Sequence, residues 1–330
     1  MGAGLRKLRW GLIGCGDIAA KRVAPALRDS QKCDFVAVSR AHADLAEPFA
    51  AEFGARKWYK TWEELIRDDE IEAVYIATPV YLHCAQTIAA AQAGKNVLCE
   101  KPMSLDPGRC EEMITACRMN NVKLGIAYYR HFYPVIKRIK EVLTGGEIGQ
   151  AVFAQINAFE FLNPQPDESR YWFVRKEQSG GGPMFDFGCH RIEVLLNIFG
   201  TANYSSGFVS KVIFDREVED TCTAFLSFDS GPRAIINVTH AAYEHQDTLD
   251  IFGTKGSVHV PLLNAGVMTV KTQDKERLEK HPPHRNIHQP LIEEFTEAVL
   301  GNRQPGVDGD IGKEVARIEE EIYKGWKSDK

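Results

Sequence analysis

Trp10-Gly11-Leu12-Ile13-Gly14-Cys15-Gly16-Asp17-Ile18-Ala19 is a strand-length apolar run, then a glycine turn, then the first residues of a helical pattern. From Gly14 to Ala19 it reads G-x-G-x-x-A. In such a turn the first glycine permits the tight bend. The second lets a backbone approach a pyrophosphate, and Ala19 keeps strand and helix close. The helix N-terminus behind it offers unpaired N–H groups and partial positive charge to phosphate oxygens. A glycine hexapeptide alone is weak evidence, and its strand–turn–helix setting is what points to a dinucleotide.

The flanking sequence supplies that setting. Strands are predicted at residues 10–13, 35–38, 57–59, 74–77, 97–99 and 124–128, with helices at 18–28, 42–53, 62–67, 81–93 and 107–119 between them. Near-continuous apolar strands alternating with helices predict an α/β, doubly wound (Rossmann) parallel sheet. Beyond residue 129 the pattern changes. Helices are predicted at 133–143, 184–199, 290–300 and 311–326, and strands at 152–161, 207–214, 221–228, 233–239, 248–252, 257–260 and 267–271. Cys222, Ala224, Leu226 and Phe228 alternate with Thr221, Thr223, Phe225 and Ser227, the signature of a mostly antiparallel, open-faced sheet with helices on one side. The predicted division is a dinucleotide-binding domain over 1–129 and an α+β domain over 130–330.

Composition narrows the function. A chain of 330 residues suits two domains at roughly 150 residues each. Forty Lys and Arg against 45 Asp and Glu give a charge of −5, which argues against bulk attraction to nucleic acid or anionic membranes. None of the eight cysteines forms a C-x-x-C pair, so reduced thiols in the cytoplasm are expected, without zinc or disulfides. The apolar run behind Arg6, Lys7 and Arg9 is too short and too glycine-broken for a secretory leader. Met1-Gly2 lacks the Ser or Thr at position 6 that myristoylation wants. The longest charge-free stretch, 73–94, holds Pro79, His83, Gln86 and Gln92 and reads as strand, turn and helix rather than a membrane span.

The end of the second strand bears on the cofactor. Val38-Ser39-Arg40-Ala41-His42 has no acid where a carboxylate would bind the ribose hydroxyls of NAD. Ser39 and Arg40 suit a 2′-phosphate, which favours NADP; NAD through Ser39 stays open, as does a solvated Arg40. Thr78-Pro79 and Glu100-Lys101-Pro102 end the fourth and fifth strands, at the sheet edge where such folds bind ligands. There Lys101 is either a crevice ammonium or a surface lysine. Asp186 and His190 are spaced i, i+4 within Gly180-Gly181-Gly182-Pro183-Met184-Phe185-Asp186-Phe187-Gly188-Cys189-His190. On so apolar a helix they are either catalytic, or a capping acid and a satisfied core histidine. His281, His284 and His288 surround Pro282-Pro283 without a carboxylate among them, so a solvated loop is expected and no metal.

Together these stretches resemble the Gfo/Idh/MocA oxidoreductases. The resemblance rests on the glycine turn, Ala77-Thr78-Pro79-Val80-Tyr81-Leu82-His83, Glu100-Lys101-Pro102, Gly146-Glu147-Ile148-Gly149 and the 180–190 stretch, and covers nearly the whole chain. It implies a two-domain enzyme with nicotinamide at the domain junction. Hydride would pass between the cofactor and a sugar, polyol or related hydroxy or keto compound. It implies Lys101, His190 and Asp186 as catalytic groups. Gly14, Gly16, Asp17, Ile18, Ser39, Arg40, Thr78, Pro79, His83, Glu100, Lys101 and Trp172 are the expected cofactor contacts. It further implies a homodimer or homotetramer through the second-domain sheet. Two departures stand out: Val80 where many relatives have Asn, and Phe173 after Trp172 where many have Arg, with Arg175 nearby. Tyr128, Tyr129, Arg130 and His131 are further pocket candidates, and Glu160, Asn163, Arg170 and Tyr171 are candidate hydroxyl partners. Glycoside cleavage on the same scaffold and a non-catalytic NADP(H) sensor are the competing functions.

Overall fold

A computed structural model of the protein describes residues 6–326; Met1 and Gly2, on which the acylation reading turns, lie outside them. Two units are found. One holds the chain up to Tyr129 together with His284–Glu314, and the other holds Arg130–Pro283 and the chain from Val315 onward.

In the first unit six parallel strands, β1 (Leu8–Ile13), β2 (Cys33–Ser39), β3 (Lys57–Tyr59), β4 (Ala73–Ile76), β5 (Asn96–Cys99) and β6 (Leu124–Ile126), lie in the order β3-β2-β1-β4-β5-β6. The order reverses between β1 and β4, the switch point at which doubly wound sheets bind ligands. All four residues of β4 are buried, as a sheet covered on both faces requires. The expected helix at 18–28 is interrupted. Ala24 N–H donates to Ala19 O in a wide i→i+5 turn, and a regular helix follows over Ala24–Asp29. Pro25 has no N–H for the carbonyl of Lys21, so the ladder widens just ahead of it.

The expectation that 130–330 forms one unit is corrected for 284–314. The helix Gln289–Leu300 buries Leu291, Ile292, Phe295 and Ala298 in the first unit. Its Phe295 ring lies 5.6 Å from Trp10, and Thr296 Oγ1 accepts from the Trp10 indole at 3.2 Å. A Cβ on Gly125 of β6 would stand 2.6 Å from the Phe295 ring, so that strand needs a glycine there.

The second unit carries eight strands in the order β14-β13-β12-β11-β7-β10-β9-β8. These are β7 (Ala151–Phe161), β8 (Ala202–Ser210), β9 (Thr221–Phe228), β10 (Arg233–Thr239), β11 (Ala241–Gly253), β12 (Gly256–Leu262), β13 (Val267–Thr272) and β14 (Glu276–Lys280). All pairings are antiparallel except β7 with β10. The alternation in β9 is realised. Cys222, Ala224, Leu226 and Phe228 are buried, and Phe199 of the helix Cys189–Phe199 packs 5.3 Å from Phe228. On the other face Thr223 Oγ1 donates to Asn237, and Asn237 donates to Asn157, in a row across three strands. β8 ends at Ser210 and not near 214, because the Asp220 carboxylate takes the N–H groups of Val212, Ile213 and Phe214. β14 was not expected, since its Glu-Arg-Leu-Glu-Lys sequence reads as polar loop. It is an edge strand whose charges are paired: Glu279 with Arg138 at 2.8 Å and with Arg277 at 2.6 Å.

Candidate functional site

In the first unit the candidate groups gather at the carboxyl ends of β1, β2, β4 and β5. Ala77 N–H donates to Ile13 O at 2.8 Å, which sets the ends of β1 and β4 side by side. Gly14 has φ +90°, and a Cβ there would lie 2.8 Å from Ala77 O. Its N–H donates to Ser39 O at 3.0 Å, which ties the turn to the end of β2. Gly16 is different: a Cβ on it would meet nothing within 4 Å. Neither packing nor conformation within the chain calls for a glycine there, whereas a phosphate set against the backbone would. Asp17 is exposed and pairs with Lys21 at 3.3 Å, and the Ile18 side chain is exposed beside it. The Cys15 thiol is pushed up to about 12, first by burial, with Arg40 pulling the other way.

Ser39 is buried, and its hydroxyl has no hydrogen-bond partner among the described residues. Arg40 is half-buried, with no ion pair recorded among those residues. An orphaned hydroxyl, a guanidinium without a carboxylate and a glycine fronting open space fit a phosphorylated dinucleotide.

Other expected cofactor contacts sit differently. His83 is buried, with Nδ1 2.9 Å from Pro102 O and Nε2 2.8 Å from Thr78 O. Burial lowers its pKa against those two carbonyls. The ring therefore braces the segments after β4 and β5. The Thr78 hydroxyl is engaged by Gln86 at 2.6 Å, while Pro79 remains half-buried at the rim. Glu100 is also internal. It accepts from the Tyr75 hydroxyl at 2.7 Å and from the Lys101 N–H at 3.1 Å, and lies 3.5 Å from His288 Nε2. Burial pushes its carboxyl up, but His288, Lys101 and Tyr75 together hold it below the usual carboxylate range. That Lys101 N–H is the backbone amide, and the Lys101 side chain is half-buried. His288 is buried and lies 4.6 Å from the ring of Tyr129, so the solvated-loop expectation fails for it. His281 pairs with Glu279 at 2.8 Å, and His284 is exposed. Among the described residues no cluster of His, Cys, Asp or Glu could hold a metal.

In the second unit the glycine run makes room for a buried acid. A Cβ on Gly182 would lie 2.1 Å from Glu219 O, and the Glu219 carboxylate accepts from Gly182 N–H at 2.7 Å and Met184 N–H at 3.3 Å. The Tyr323 hydroxyl donates to the same carboxylate. Asp186 follows on a wide turn, Met184–Gly188, in which Cys189 N–H donates to Met184 O, and His190 lies in the first turn of the regular helix Cys189–Phe199 behind it. Such i→i+5 turns recur at functional sites. His190 is buried, and Asp186 keeps 19% of its side chain exposed, with Oδ2 3.4 Å from His240 Nε2.

Several pocket candidates prove to be internal pairs. His131 lies 2.6 Å from Glu193, whose carboxyl is pushed up by burial. Arg130 and Arg191 converge on buried Asp247 at 3.8 and 2.5 Å. Tyr128 is buried. Trp172 stacks on Phe173 at 4.0 Å, and Arg175 pairs with Glu217 at 2.6 Å. Glu160 and Arg170 are exposed, while Asn163 and Tyr171 are half-buried. Arg216, Glu219 and His240 were missed, and His288 was expected only in a solvated loop. Each lies far in sequence from the group it serves, and no local spacing marks it.

Residues 8–128 match the profile of the oxidoreductase family with an NAD-binding Rossmann fold, and residues 136–259 match the GFO/IDH/MocA C-terminal domain. The chain is 31% identical to the trans-1,2-dihydrobenzene-1,2-diol dehydrogenase of Mus musculus, over 84% of this chain and 80% of that protein. It is 28% identical to the 1,5-anhydro-D-fructose reductase of Ensifer adhaerens, over 92% of each. The crystal structure of aldose–aldose oxidoreductase from Caulobacter crescentus, complexed with glycerol, superposes with a TM-score of 0.88 at 25% identity and 97% coverage of both chains.

Proposed function

The chain belongs to the GFO/IDH/MocA oxidoreductase family, and on that premise we propose that it uses NADP in preference to NAD and acts on a secondary alcohol, or the matching ketone or aldehyde, of a sugar-like or cyclic diol compound. The observation that carries the cofactor choice is the pair at the end of β2: a buried Ser39 hydroxyl without a partner, next to Arg40 without a carboxylate. A 2′-phosphate would satisfy both. Gly14, Gly16 and the backbone at Asp17 and Ile18 hold the pyrophosphate in this reading, Thr78 and Pro79 border the nicotinamide ribose, and Trp172 walls the ring.

Bound nicotinamide supplies the hydride exchange. The chain supplies charge and proton traffic. Lys101 stabilises the oxygen of the reacting carbon with its ammonium, His190 gives or takes the proton, and Asp186 orients the group beside it. The eight cysteines are buried and none is joined in a disulfide among the described residues, which suits a reducing compartment, so the cytoplasm is the proposed location. No helix among the described residues is long and apolar enough to cross a membrane.

The test follows nicotinamide absorbance with NADPH or NADP against 1,5-anhydro-D-fructose, trans-1,2-dihydrobenzene-1,2-diol and a panel of aldoses, repeated with NADH and NAD. Net absorbance change, larger with the phosphorylated cofactor, is expected. Sugar release from a glycoside without net change would overturn the reading in favour of glycoside cleavage, and cofactor binding with neither would favour a sensor. Lys101→Ala and His190→Ala should each lose about 10²-fold or more in kcat while binding cofactor normally. Near-normal turnover in either variant removes that residue from the mechanism.

A further inference from the structure

We propose that Glu219, braced by the Tyr323 hydroxyl, is the positioning residue for Asp186; the proposal rests on the reading above only in giving Asp186 a part in the reaction. Glu219 lies just ahead of β9 and is fully buried. Both of its carboxylate oxygens accept. Gly182 N–H reaches Oε2 at 2.7 Å, Met184 N–H reaches Oε1 at 3.3 Å, and the Tyr323 hydroxyl also donates to Oε1. A chain entering a helical turn leaves its first N–H groups without carbonyl partners. Here an acid remote in sequence takes two of them, as a capping side chain would.

The link to Asp186 runs through those same two residues. Asp186 N–H donates to Gly182 O at 2.9 Å, and Cys189 N–H donates to Met184 O across the wide turn Met184–Gly188. Gly182 and Met184 are thus each held by Glu219 at the N–H and by the turn at the carbonyl, so the loop that carries Asp186 takes its position from the carboxylate. The glycine run admits the pair. A Cβ on Gly181 would stand 2.7 Å from the Tyr323 hydroxyl, and one on Gly182 would stand 2.1 Å from Glu219 O. Arg216 Nη2 donates to Glu219 O at 2.6 Å, which fixes the backbone of the acid itself. Tyr323 ends the helix Gly309–Tyr323, and its ring lies edge-on to Phe185 at 5.2 Å, beside Asp186 in the chain. Because both oxygens accept, an amide at this position would turn its NH2 toward a donor and leave that donor unpaired.

The first experiment does not depend on turnover. Hydrogen exchange of the full chain, read by mass on peptides covering 180–190, reports the amides of Gly182, Met184 and Asp186. Glu219→Gln should speed exchange there by about tenfold or more, and Tyr323→Phe by a smaller factor, with peptides from β1 to β6 unchanged. Parent-like exchange in either variant overturns the proposal. Tyr323→Phe keeps both amide bonds to the carboxylate, and it decides alone if Glu219→Gln does not fold. The second experiment is a double-mutant cycle on kcat, using whichever compound in the panel above turns over. Tyr323→Phe in the parent chain should lose about tenfold in kcat with KM for NADPH little changed, because a loosened turn misplaces Asp186. In the Asp186→Asn background the same substitution should cost less than about twofold, since the group it places is already disabled. Equal losses in both backgrounds, which a merely structural tyrosine would give, overturn the proposal, as does an unchanged kcat in the parent chain. If nothing in the panel turns over, the reading of function fails, while the exchange rates still decide whether Glu219 and Tyr323 hold the turn.

Discussion

Gly14 and Gly16 are glycines for separable reasons. Gly14 holds φ +90° and sits against Ala77 O, so a side chain there is strained in the apoprotein. Gly16 has open space where its Cβ would be. Gly14→Ala should therefore lower thermal stability by about 1–2 kcal/mol from the left-handed conformation alone. Gly16→Ala should leave the unfolding midpoint unchanged and weaken NADPH binding in a fluorescence titration. Equal midpoint losses in both would mean that the second glycine is structural after all. Arg40 makes a sharper residue-scale test. Charge-assisted hydrogen bonds are worth about 1.5–3 kcal/mol, so Arg40→Ala should raise KM for NADPH by roughly 10- to 100-fold. KM for NADH should move little, and a parallel rise in both would sink the 2′-phosphate assignment.

At the scale of elements, β14 is held by charge where its sequence offers little apolar surface. Arg138 of the helix Pro134–Thr144 reaches Glu279 at 2.8 Å and Glu147 at 3.0 Å, and Arg277 reaches Glu279 at 2.6 Å. Chiefly through Arg138, the Glu279 carboxyl falls from 4.5 to about 2. A carboxyl with a depressed folded-state pKa contributes stability above its unfolded pKa and loses it as pH falls through the folded one. The unfolding midpoint should decline as pH drops from 4.5 toward 2, and Glu279→Gln should flatten that part of the profile. An unchanged slope in the variant would show that the network does not hold the edge. The same strand shows why the sequence was legible only in part. Period and turn chemistry are local, and they locate β1, β9, β10 and the glycine turn within a residue or two. Glu-Arg-Leu-Glu-Lys becomes a strand only because Val267–Thr272 supplies a ladder and distant arginines neutralise its acids. Likewise Asp186, His190, Lys101 and Ser39 are visible in motifs. The partners Arg216, His240 and His288 arrive from other elements, and nothing local announces them.

At the scale of the whole molecule, the face of the second sheet that the helices leave uncovered carries an exposed aromatic cluster. The buried face of β9 is apolar throughout, yet the opposite face is not the polar surface that a solvated sheet would show. Phe208 on β8 is 79% exposed, Tyr204 59% and Phe225 on β9 44%. Register sets Phe208 opposite Thr223, Ser206 opposite Phe225 and Tyr204 opposite Ser227, so the three aromatics share one face. Isolated exposed apolar residues need no explanation, whereas a clustered patch on a flat sheet marks an association surface. β8 is also the outer strand of the order, with unpaired backbone groups along one side. The prediction is that a second copy of the chain covers this face, since homo-oligomers with twofold interfaces predominate among soluble assemblies. Light scattering on a sizing column should therefore give two or four times 37.0 kDa at micromolar concentration. Phe208→Glu combined with Phe225→Arg should shift the species to 37.0 kDa with its unfolding transition intact, because both side chains lie outside the buried face. A parent protein that already runs at 37.0 kDa, or a double variant that keeps the larger mass, would remove this face as the interface.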